Sequence, residues 1–448
     1  MFSRTNSLDV ADDLKVYRGA VLRLTTEEQA EFIKDAILIC ASKGNLVGKI
    51  LAIGDAQVLA DKFNINLTYL PKNPDLLMPA FFDTHFHWVQ DDVREMPKVS
   101  LIEWLELYTF PEEAKYSDPE FARTKARLFW KKILSVGTIG GFCYSSVHET
   151  ALAEAIKYAP KDFYIGNVLM TMNCPDYLKQ TVEESKLSVN KCSDRYKSRY
   201  VCTPRFAPTT SPDVMLEAVE AARRNNCFLQ THLCETQNEI KWALDIYRKF
   251  SGFEDIQSYT DIYQRVNMLG PKTILGHCIH LKDSEWELLA KSRSKVSSCP
   301  TSNAPISQLG IGSGLFDFQK AESMGIPWSL STDIGGGPFL SMFDVIRSFV
   351  EQNRDLGIDK ATYTKALYRC TFMGADALGI STNRGMIKEG FYFDAIRVPL
   401  PKNVSELADG EEVIKMLISM IPCRASADNL VLETIIRGES CFKKKKVK

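Results

Sequence analysis

Eight short apolar runs rich in β-branched residues recur between residues 76 and 378, and longer amphipathic segments separate most of them. Near-continuous apolar strands that alternate with helices are typical of a parallel sheet covered on both faces. Eight such units over about 300 residues favour a (β/α)8 barrel, with an open doubly wound sheet as the alternative. The predicted strands are residues 76–83, 138–145, 163–172, 200–207, 228–232, 273–277, 295–299 and 326–333.

Several of the segments between these runs have the length and pattern of amphipathic helices. They are residues 119–135, 212–225, 284–291 and 315–324.

Short strands also flank the barrel region on both sides. Before it we predict strands at residues 16–24, 36–40, 49–53 and 67–70, with helices at 25–33 and 55–63. After it only residues 393–398 and 430–436 have a strand pattern, which is too little for a separate domain. We therefore predict an α/β fold: a TIM-type (β/α)8 barrel at 76–384, with a small β-sandwich built from residues 1–75 and 385–440.

A basic tail at residues 441–448 ends the sequence, and its four-lysine run is Lys443–Lys446. A solvated, disordered terminus is favoured over a nuclear-localisation patch.

The charges of the chain are balanced, with 55 Lys and Arg against 56 Asp and Glu. This balance argues against nucleic acid or an anionic membrane surface as the main partner, because both select for excess cations. No apolar stretch approaches the ~20 residues that span a bilayer. The first residues turn acidic at once and have no apolar core, so we expect neither a signal peptide nor a transit peptide there. Twelve cysteines without a C-x-x-C pair suit free thiols in the cytoplasm.

The chain has only six histidines, and four of them end predicted barrel strands. His85 and His87 form an H-x-H at the end of the first strand, where the two-residue period puts both on one face. His232, His277 and Asp333 end the fifth, sixth and eighth strands. All these strand ends surround one mouth of a barrel, where barrel active sites lie. The pattern predicts a divalent metal site.

Imidazole and carboxylate ligands suit Zn²⁺ best, with Fe²⁺ as the alternative. No lysine ends a strand between the H-x-H and His232, which speaks against a second metal bridged by a modified lysine. Glu235 follows His232 by three residues and is a candidate for moving protons near the metal. The alternative for Glu235 is a helix N-terminal carboxylate stabilised by the helix dipole. His148 and His280 lack this placement, and we expect them to be structural or to support the metal ligands from behind.

The run from Pro79 to His87, followed by His232, His277 and Asp333, resembles the ligand series of the amidohydrolase superfamily. Further segments between about residues 76 and 398 resemble its guanine-deaminating branch. These segments are residues 104–105, 108–111, 175–178, 203–208, 230–233, 277–281, 299–303 and 332–337.

The resemblance implies hydrolytic deamination of the small molecule guanine to xanthine and ammonia, in a homodimer with one zinc ion per subunit. It implies that Glu235 and Asp333 are catalytic and move protons. The zinc ligands that it implies are His85, His87, His232, His277 and Asp333. The substrate-binding residues that it implies are Gln90, Arg205, Phe206, Glu235 and Asp333.

Some residues depart from the family pattern. Trp88 is bulkier than expected after His87, which predicts a reshaped pocket rim. Thr171 and Met172 stand where the family tends to carry a charged pair, which leaves fine substrate preference open. A deaminase of another aminated heterocycle (an oxidised guanine, a pterin or cytosine) is one alternative, and a non-catalytic barrel scaffold is another. The run of glycines at 335–337 lacks a P-loop lysine and predicts a turn that lets backbone approach the substrate.

Overall fold

The structure is a computed structural model that describes residues 13–405, 408–422 and 426–445. The acidic start of the chain and the last three residues of the predicted basic tail lie outside the described residues. No helix among the described residues is long and apolar enough to cross a membrane.

The described strands form two sheets. One sheet has eight strands in chain order, β5 to β12, and the other has the order β15-β14-β13-β4-β1-β2-β3. The strands are β1 Leu14–Leu24, β2 Ala30–Ala41, β3 Ile50–Asp55, β4 Asn73–Pro79, β5 Phe81–His87, β6 Thr138–Ser145, β7 Phe163–Leu169, β8 Val201–Pro204, β9 Phe228–Leu233, β10 Thr273–His277, β11 Lys295–Ser298, β12 Trp328–Leu330, β13 Ala395–Pro399, β14 Glu433–Ile436 and β15 Glu439–Lys443.

Most connections between the strands of the eight-stranded sheet contain helices. The helices of the described residues are α1 Ala56–Phe63, α2 Leu101–Trp104, α3 Phe110–Ala114, α4 Pro119–Ser135, α5 Glu149–Tyr158, α6 Val182–Tyr196, α7 Pro212–Asn225, α8 Gln237–Tyr247, α9 Tyr259–Arg265, α10 Asp283–Ser292, α11 Phe318–Ser323, α12 Met342–Asp355, α13 Tyr363–Cys370, α14 Phe372–Ala377 and α15 Gly410–Ser419. The helices predicted at 119–135 and 212–225 are α4 and α7. Pro212 opens α7, and Asn226 ends it in the left-handed region with φ 56°.

The eight-stranded sheet returns on itself through a seam between its first strand and the segment that follows its last. The backbone N–H of Asp333 donates to the His85 carbonyl at 2.9 Å, and that of His87 donates to the Ile334 carbonyl at 2.7 Å. Next to them, the Asp83 carboxylate accepts from the Thr332 N–H at 3.2 Å. The predicted (β/α)8 barrel is therefore confirmed, and the open doubly wound sheet is excluded.

Two compact units divide the chain. One contains Asp83–Trp130 and Gly140–Gly357, and the other contains the described residues of the remaining segments. The seven-stranded sheet combines four strands from before the barrel with three from after it. The small β-sandwich predicted from both chain ends is therefore confirmed as a second β unit, which the described strands build as one sheet. Its core includes Val21, Leu38 and Phe393. The domain boundaries at 75, 384 and 440 stay a prediction.

Three predicted elements near the N-terminus are wrong. Residues 25–33 form no helix, because the N–H groups of Thr25 and Thr26 both donate to the Gln29 carbonyl and turn the chain into β2. Residues 67–70 contain a 3₁₀ turn, opened by an Asn66 side chain that accepts from the Thr68 N–H. The run 76–83 is two strands: β4 belongs to the seven-stranded sheet, and the barrel begins at β5. In each case a non-local strand pairing or a turn side chain overrides the local pattern.

Candidate active site and metal centre

The ends of β5, β9, β10 and β12 bring the predicted histidines and aspartate together. The Nε2 atoms of His87 and His232 are 3.2 Å apart, and His85 Nε2 lies 3.3 Å from Asp333 Oδ1. His277 Nε2 lies 3.9 Å from Asp333 Oδ2. His148 and His280 lie outside this cluster.

The backbone takes an uncommon conformation at two of these residues. His277 and Asp333 have φ values of 69° and 50°, in the left-handed region that non-glycine residues rarely occupy. Cys234, between His232 and Glu235, has a φ of 52°. Such strain persists only where the surrounding structure holds it, and it is common at functional sites. Here it occurs where the chain leaves strands of the barrel.

Burial shifts three histidines of the cluster toward the neutral form that binds a metal. Burial lowers the pKa of His85, His87 and His232, which favours neutral imidazoles with a free lone pair. The Nδ1 atom of His232 is 2.7 Å from the Arg205 carbonyl. An N–H at Nδ1 donates to that carbonyl, which leaves Nε2 as the ligand atom.

Orphaned ring nitrogens support the same conclusion. Both ring nitrogens of His85 and Nδ1 of His87 are buried without a hydrogen-bond partner among the described residues. Three overlapping sets of ligand atoms could hold a metal ion. Within each set, all the ligand atoms lie within 4.8 Å of one another. The sets are His85–His232–His277, His85–His87–Asp333 and Glu235–His277–Asp333. Buried polar atoms without a protein partner need another explanation, such as a bound ion. The donors of this cluster therefore fit a divalent cation.

Two buried carboxyl groups beside the cluster have pKa values shifted in opposite directions. Burial and the neighbouring charge of Asp333 raise the pKa of Glu235 well above its ordinary value. Burial opposes ionisation of Asp333, but the adjacent His85 and the other imidazoles outweigh it and hold the pKa of Asp333 well below its usual range. Glu235 Oε1 accepts from Asn303 Nδ2 at 3.2 Å. In such a pair one carboxyl group can act as the acid and the other as the base.

A pocket opens over this cluster, and all the predicted substrate-binding residues line it. Gln90 reaches it from the turn after β5, while Arg205 and Phe206 follow β8. The lining residues are His87, Gln90, Leu101, Trp104, Leu105, Arg205, Phe206, His232, Glu235, Glu239, His277, Ile311, Asp333 and Gly336. One pocket thus joins the metal-binding side chains to an amide, a guanidinium and an aromatic ring.

Trp88 does not line this pocket, so the prediction of a reshaped rim is wrong. Its side chain is fully buried, and its Nε1–H donates to Ser145 Oγ at 3.0 Å. Its ring packs edge-on against Tyr116, with 4.8 Å between the ring centroids. The alternation along the chain turns Trp88 away from His87.

Comparison with known proteins agrees with this geometry. Residues 76–427 match the profile of the amidohydrolase family. The chain belongs to the amidohydrolase family. It is 32% identical over 383 residues to a guanine deaminase of Escherichia coli, which covers 82% of this chain and 83% of the relative. It is 29% identical over 384 residues to a guanine deaminase of Dictyostelium discoideum, covering 82% of this chain and 79% of the relative.

Solved structures agree with these relatives. The crystal structure of guanine deaminase from C. acetobutylicum with bound guanine in the active site superposes with a TM-score of 0.81 at 25% identity. The superposition covers 96% of this amidohydrolase and all of that chain.

Sequence reasoning missed three residues that hold the site of this amidohydrolase together. Glu113 is a fully buried carboxylate that contacts both Gln90 and Arg205. Asn303 contacts both Glu235 and His277. Glu239 accepts from the Glu235 N–H at 2.8 Å, and burial raises the pKa of Glu239 to about 7.

The signals for these residues differ. The spacing Thr236-x-x-Glu239 is a capping box and could have identified Glu239. Asn303 lies in a segment that resembles the family, whereas Glu113 comes two residues after such a segment. Their partners are distant in sequence and become visible only in the fold.

The glycine run of this amidohydrolase lets backbone approach the site's side chains. Gly335 has a φ of 109°, and a Cβ there would lie 2.0 Å from Gln90 Oε1. A Cβ on Gly336 would lie 2.4 Å from Asp333 Oδ2. Any larger residue at these positions would displace Gln90 or Asp333.

Proposed function

We propose that this amidohydrolase is a zinc-dependent guanine deaminase that hydrolyses guanine to xanthine and ammonia. The observation that carries the proposal is the single pocket in which four residues of the His/Asp cluster face Gln90, Arg205 and Phe206. The four are His87, His232, His277 and Asp333. The relatives that share about a third of its sequence are guanine deaminases, which supports the same substrate.

Zinc is the preferred ion because the cluster supplies imidazole nitrogens and one carboxylate, with Fe²⁺ as the alternative. His85, His87, His232, His277 and Asp333 would hold it. When bound, the ion would lower the pKa of a coordinated water and supply hydroxide near neutral pH.

The chain's own residues then orient the base. Gln90 and Arg205 bind the polar edge of guanine, and Phe206 packs against the ring. The pocket is lined mostly by buried side chains, so it excludes water from the base and strengthens these polar contacts. Gln90, Arg205 and Phe206 together hold the base so that C2, the carbon that bears the amino group, faces Asp333 and Glu235.

Proton movement is the task of the two carboxyl groups. Glu235 takes the first proton from the attacking water and delivers it to ring N3, so that negative charge does not build up in the ring. Asp333 accepts the second proton and passes it to the amino group, which leaves C2 as ammonia. The raised pKa of Glu235 suits a group that must both accept and release a proton near neutral pH.

A base panel with metal analysis tests this proposal. Protein purified without chelator is assayed for ammonia release from guanine, an oxidised guanine, a pterin and cytosine. We expect the highest kcat/KM for guanine, formation of xanthine and about one zinc ion per chain. A higher kcat/KM for another base would favour a different heterocycle deaminase. No turnover of any base by zinc-loaded protein would favour a scaffold.

We also propose that the protein works as a cytoplasmic homodimer. Most of the cysteines in the described residues are free and buried, which suits a reducing compartment. Light scattering of the purified protein tests the dimer, and a monomer mass would contradict it. Imaging of the tagged protein tests the compartment.

A further inference from the structure

A buried carboxylate lies behind the two residues that face the polar edge of the base. Glu113, on α3, has no exposed surface. Its Oε1 accepts from Gln90 Nε2 at 2.7 Å. Arg205 Nη1 lies 3.0 Å from Oε1 and 2.7 Å from Oε2 of the same carboxylate. Both partners come from other parts of the barrel, the turn after β5 and the segment after β8.

We propose that Glu113 is a positioning residue that fixes which hydrogen-bonding pattern the site reads on its base. This inference rests on the proposed function and names a determinant of its specificity. Glu113 acts through Gln90 and Arg205 and does not line the pocket itself.

The orientation of the Gln90 amide follows from the chemistry of its partner. An ionised carboxylate only accepts hydrogen bonds, so Gln90 must turn its NH₂ group toward Glu113. A flipped amide would set oxygen against oxygen in a buried site, which is costly. The Oε1 atom of Gln90 takes up no hydrogen bond elsewhere in the described chain. It is left to accept an N–H from a molecule in the pocket.

The same carboxylate also holds Arg205, but here hydrogen-bond donors, and not an acceptor, are left for the pocket. Its charge is paired with Glu113 at one nitrogen, Nη1, and the Phe110 ring centroid lies 5.3 Å from the guanidinium carbon. Nη1 also donates to Met170 Sδ at 3.8 Å. The N–H groups at Nε and Nη2 of this five-donor fork are left to donate into the pocket. Glu113 therefore sets one acceptor and one donor side by side.

This pair matches a lactam and mismatches an amidine. Guanine presents an N1–H donor next to the O6 acceptor, which complements Gln90 Oε1 and Arg205. 2,6-Diaminopurine carries the same departing amino group at C2 but presents an N1 acceptor next to a C6 amino donor. A site with fixed polarity discriminates strongly between such substrates, because the wrong one leaves buried polar groups unpaired.

The test is Glu113→Gln, assayed with guanine and with 2,6-diaminopurine. The new side chain has the same shape but can donate, so the Gln90 amide can flip and present its NH₂ to the pocket. We expect kcat/KM for guanine to fall by about 100-fold, and the ratio of guanine to 2,6-diaminopurine to fall by at least about tenfold. Glu112→Gln is the matched control on the same helix, because Glu112 pairs with Lys115 instead, and we expect its ratio to stay unchanged.

Two further measurements keep the test decisive. Zinc content and Tm report whether Glu113→Gln folds and keeps its ion. If it does not fold, Glu113→Asp retains an acceptor and is expected to keep the substrate ratio within about twofold while lowering kcat/KM for guanine.

The outcomes separate the inference from the proposed function. An equal fall for both substrates would overturn the inference, because Glu113 would then be only a counter-ion for Arg205. A collapsed ratio in Glu113→Asp would also overturn it. A wild-type protein that deaminates neither purine would instead reject the proposed function.

Discussion

Glu235 and Asp333 are neighbouring buried carboxyl groups that lie in one pocket yet have very different affinities for protons. The pKa of Glu235 is raised and that of Asp333 is lowered. The surroundings thus favour the protonated form of Glu235 and the ionised form of Asp333. The difference depends on contacts that a single conservative substitution can remove.

Glu235→Gln removes the proton carrier and keeps the shape of the side chain. Its amide oxygen can still accept from Asn303, so we expect zinc content and guanine binding to be retained. We expect kcat to fall by about 10²–10⁴-fold, as for a general acid–base residue. Steady-state kinetics with metal analysis measure both. Unchanged turnover would reject the role of Glu235.

Gly276 is a residue whose absent side chain matters. A Cβ there would lie 2.5 Å from His85 Cε1 and 2.8 Å from Nδ1. We expect Gly276→Ala to push the imidazole aside and to weaken zinc binding by about 10- to 100-fold, as when groups supporting a metal ligand are altered. Competition with a chelating dye measures this affinity.

Gly270→Ala is the matched control, because a Cβ at Gly270 meets no atom within 4 Å. Equal zinc affinity in the two variants would show that the His85 ring adjusts without loss.

The histidine cluster was predictable from sequence because each of its residues lies at or just after the end of a strand, and the barrel brings strand ends to one mouth. Glu113 and Gly276 were not predictable in this way. Their importance comes from partners far away in the chain, such as Arg205 for Glu113, and no local periodicity encodes such a contact.

At the scale of strands and helices, the bounds of an element were predicted best where a single apolar run lies between two turns. β6 and β10 begin and end where predicted, since each is an apolar run between turns. The run 76–83 failed because β4 and β5 are both apolar and only Ala80 separates them, so the change of sheet leaves no mark in composition. β15 was missed because its residues are mostly exposed and show no alternation of buried and exposed side chains.

The interior of the barrel contains a polar layer that couples three of its strands. Thr84 Oγ1, on β5, lies 2.7 Å from each of three serine hydroxyls. They belong to Ser297 on β11, Ser329 on β12 and Ser331 just after it. Barrel interiors are usually filled with branched apolar side chains, so this layer depends on hydrogen bonds.

Thr84→Val should therefore destabilise the barrel although it conserves volume. Loss of the shared hydroxyl removes one hydrogen-bond partner from each of three buried serines, of which Ser297 and Ser329 still contact a backbone carbonyl. We expect about 1–3 kcal/mol less stability. Thr84→Ser keeps the hydroxyl and should cost about 1 kcal/mol for one lost methyl group. Chemical denaturation of the zinc-loaded protein measures both. A larger loss in Thr84→Ser would contradict the role of the hydroxyl layer.

At the scale of the whole molecule, the proposed ion contributes to folding as well as to chemistry. A ligand that binds only the folded state stabilises it, by about 4 kcal/mol at a free concentration 1,000 times its Kd. We expect chelation to abolish activity and to lower Tm, and zinc addition to restore both. In His277→Ala the Tm should respond much less to zinc. A wild-type Tm that ignores chelation would argue against a metal centre.

The seam that closes the barrel has a consequence for how the protein moves. The two amides that join its edges belong to Asp333 and His87, which also face the proposed ion. We expect opening of the barrel along this seam to move both side chains away from the proposed ion, so that local opening and dissociation of the ion occur together. We expect the rate of deuterium uptake at these two amides to match the rate of zinc dissociation.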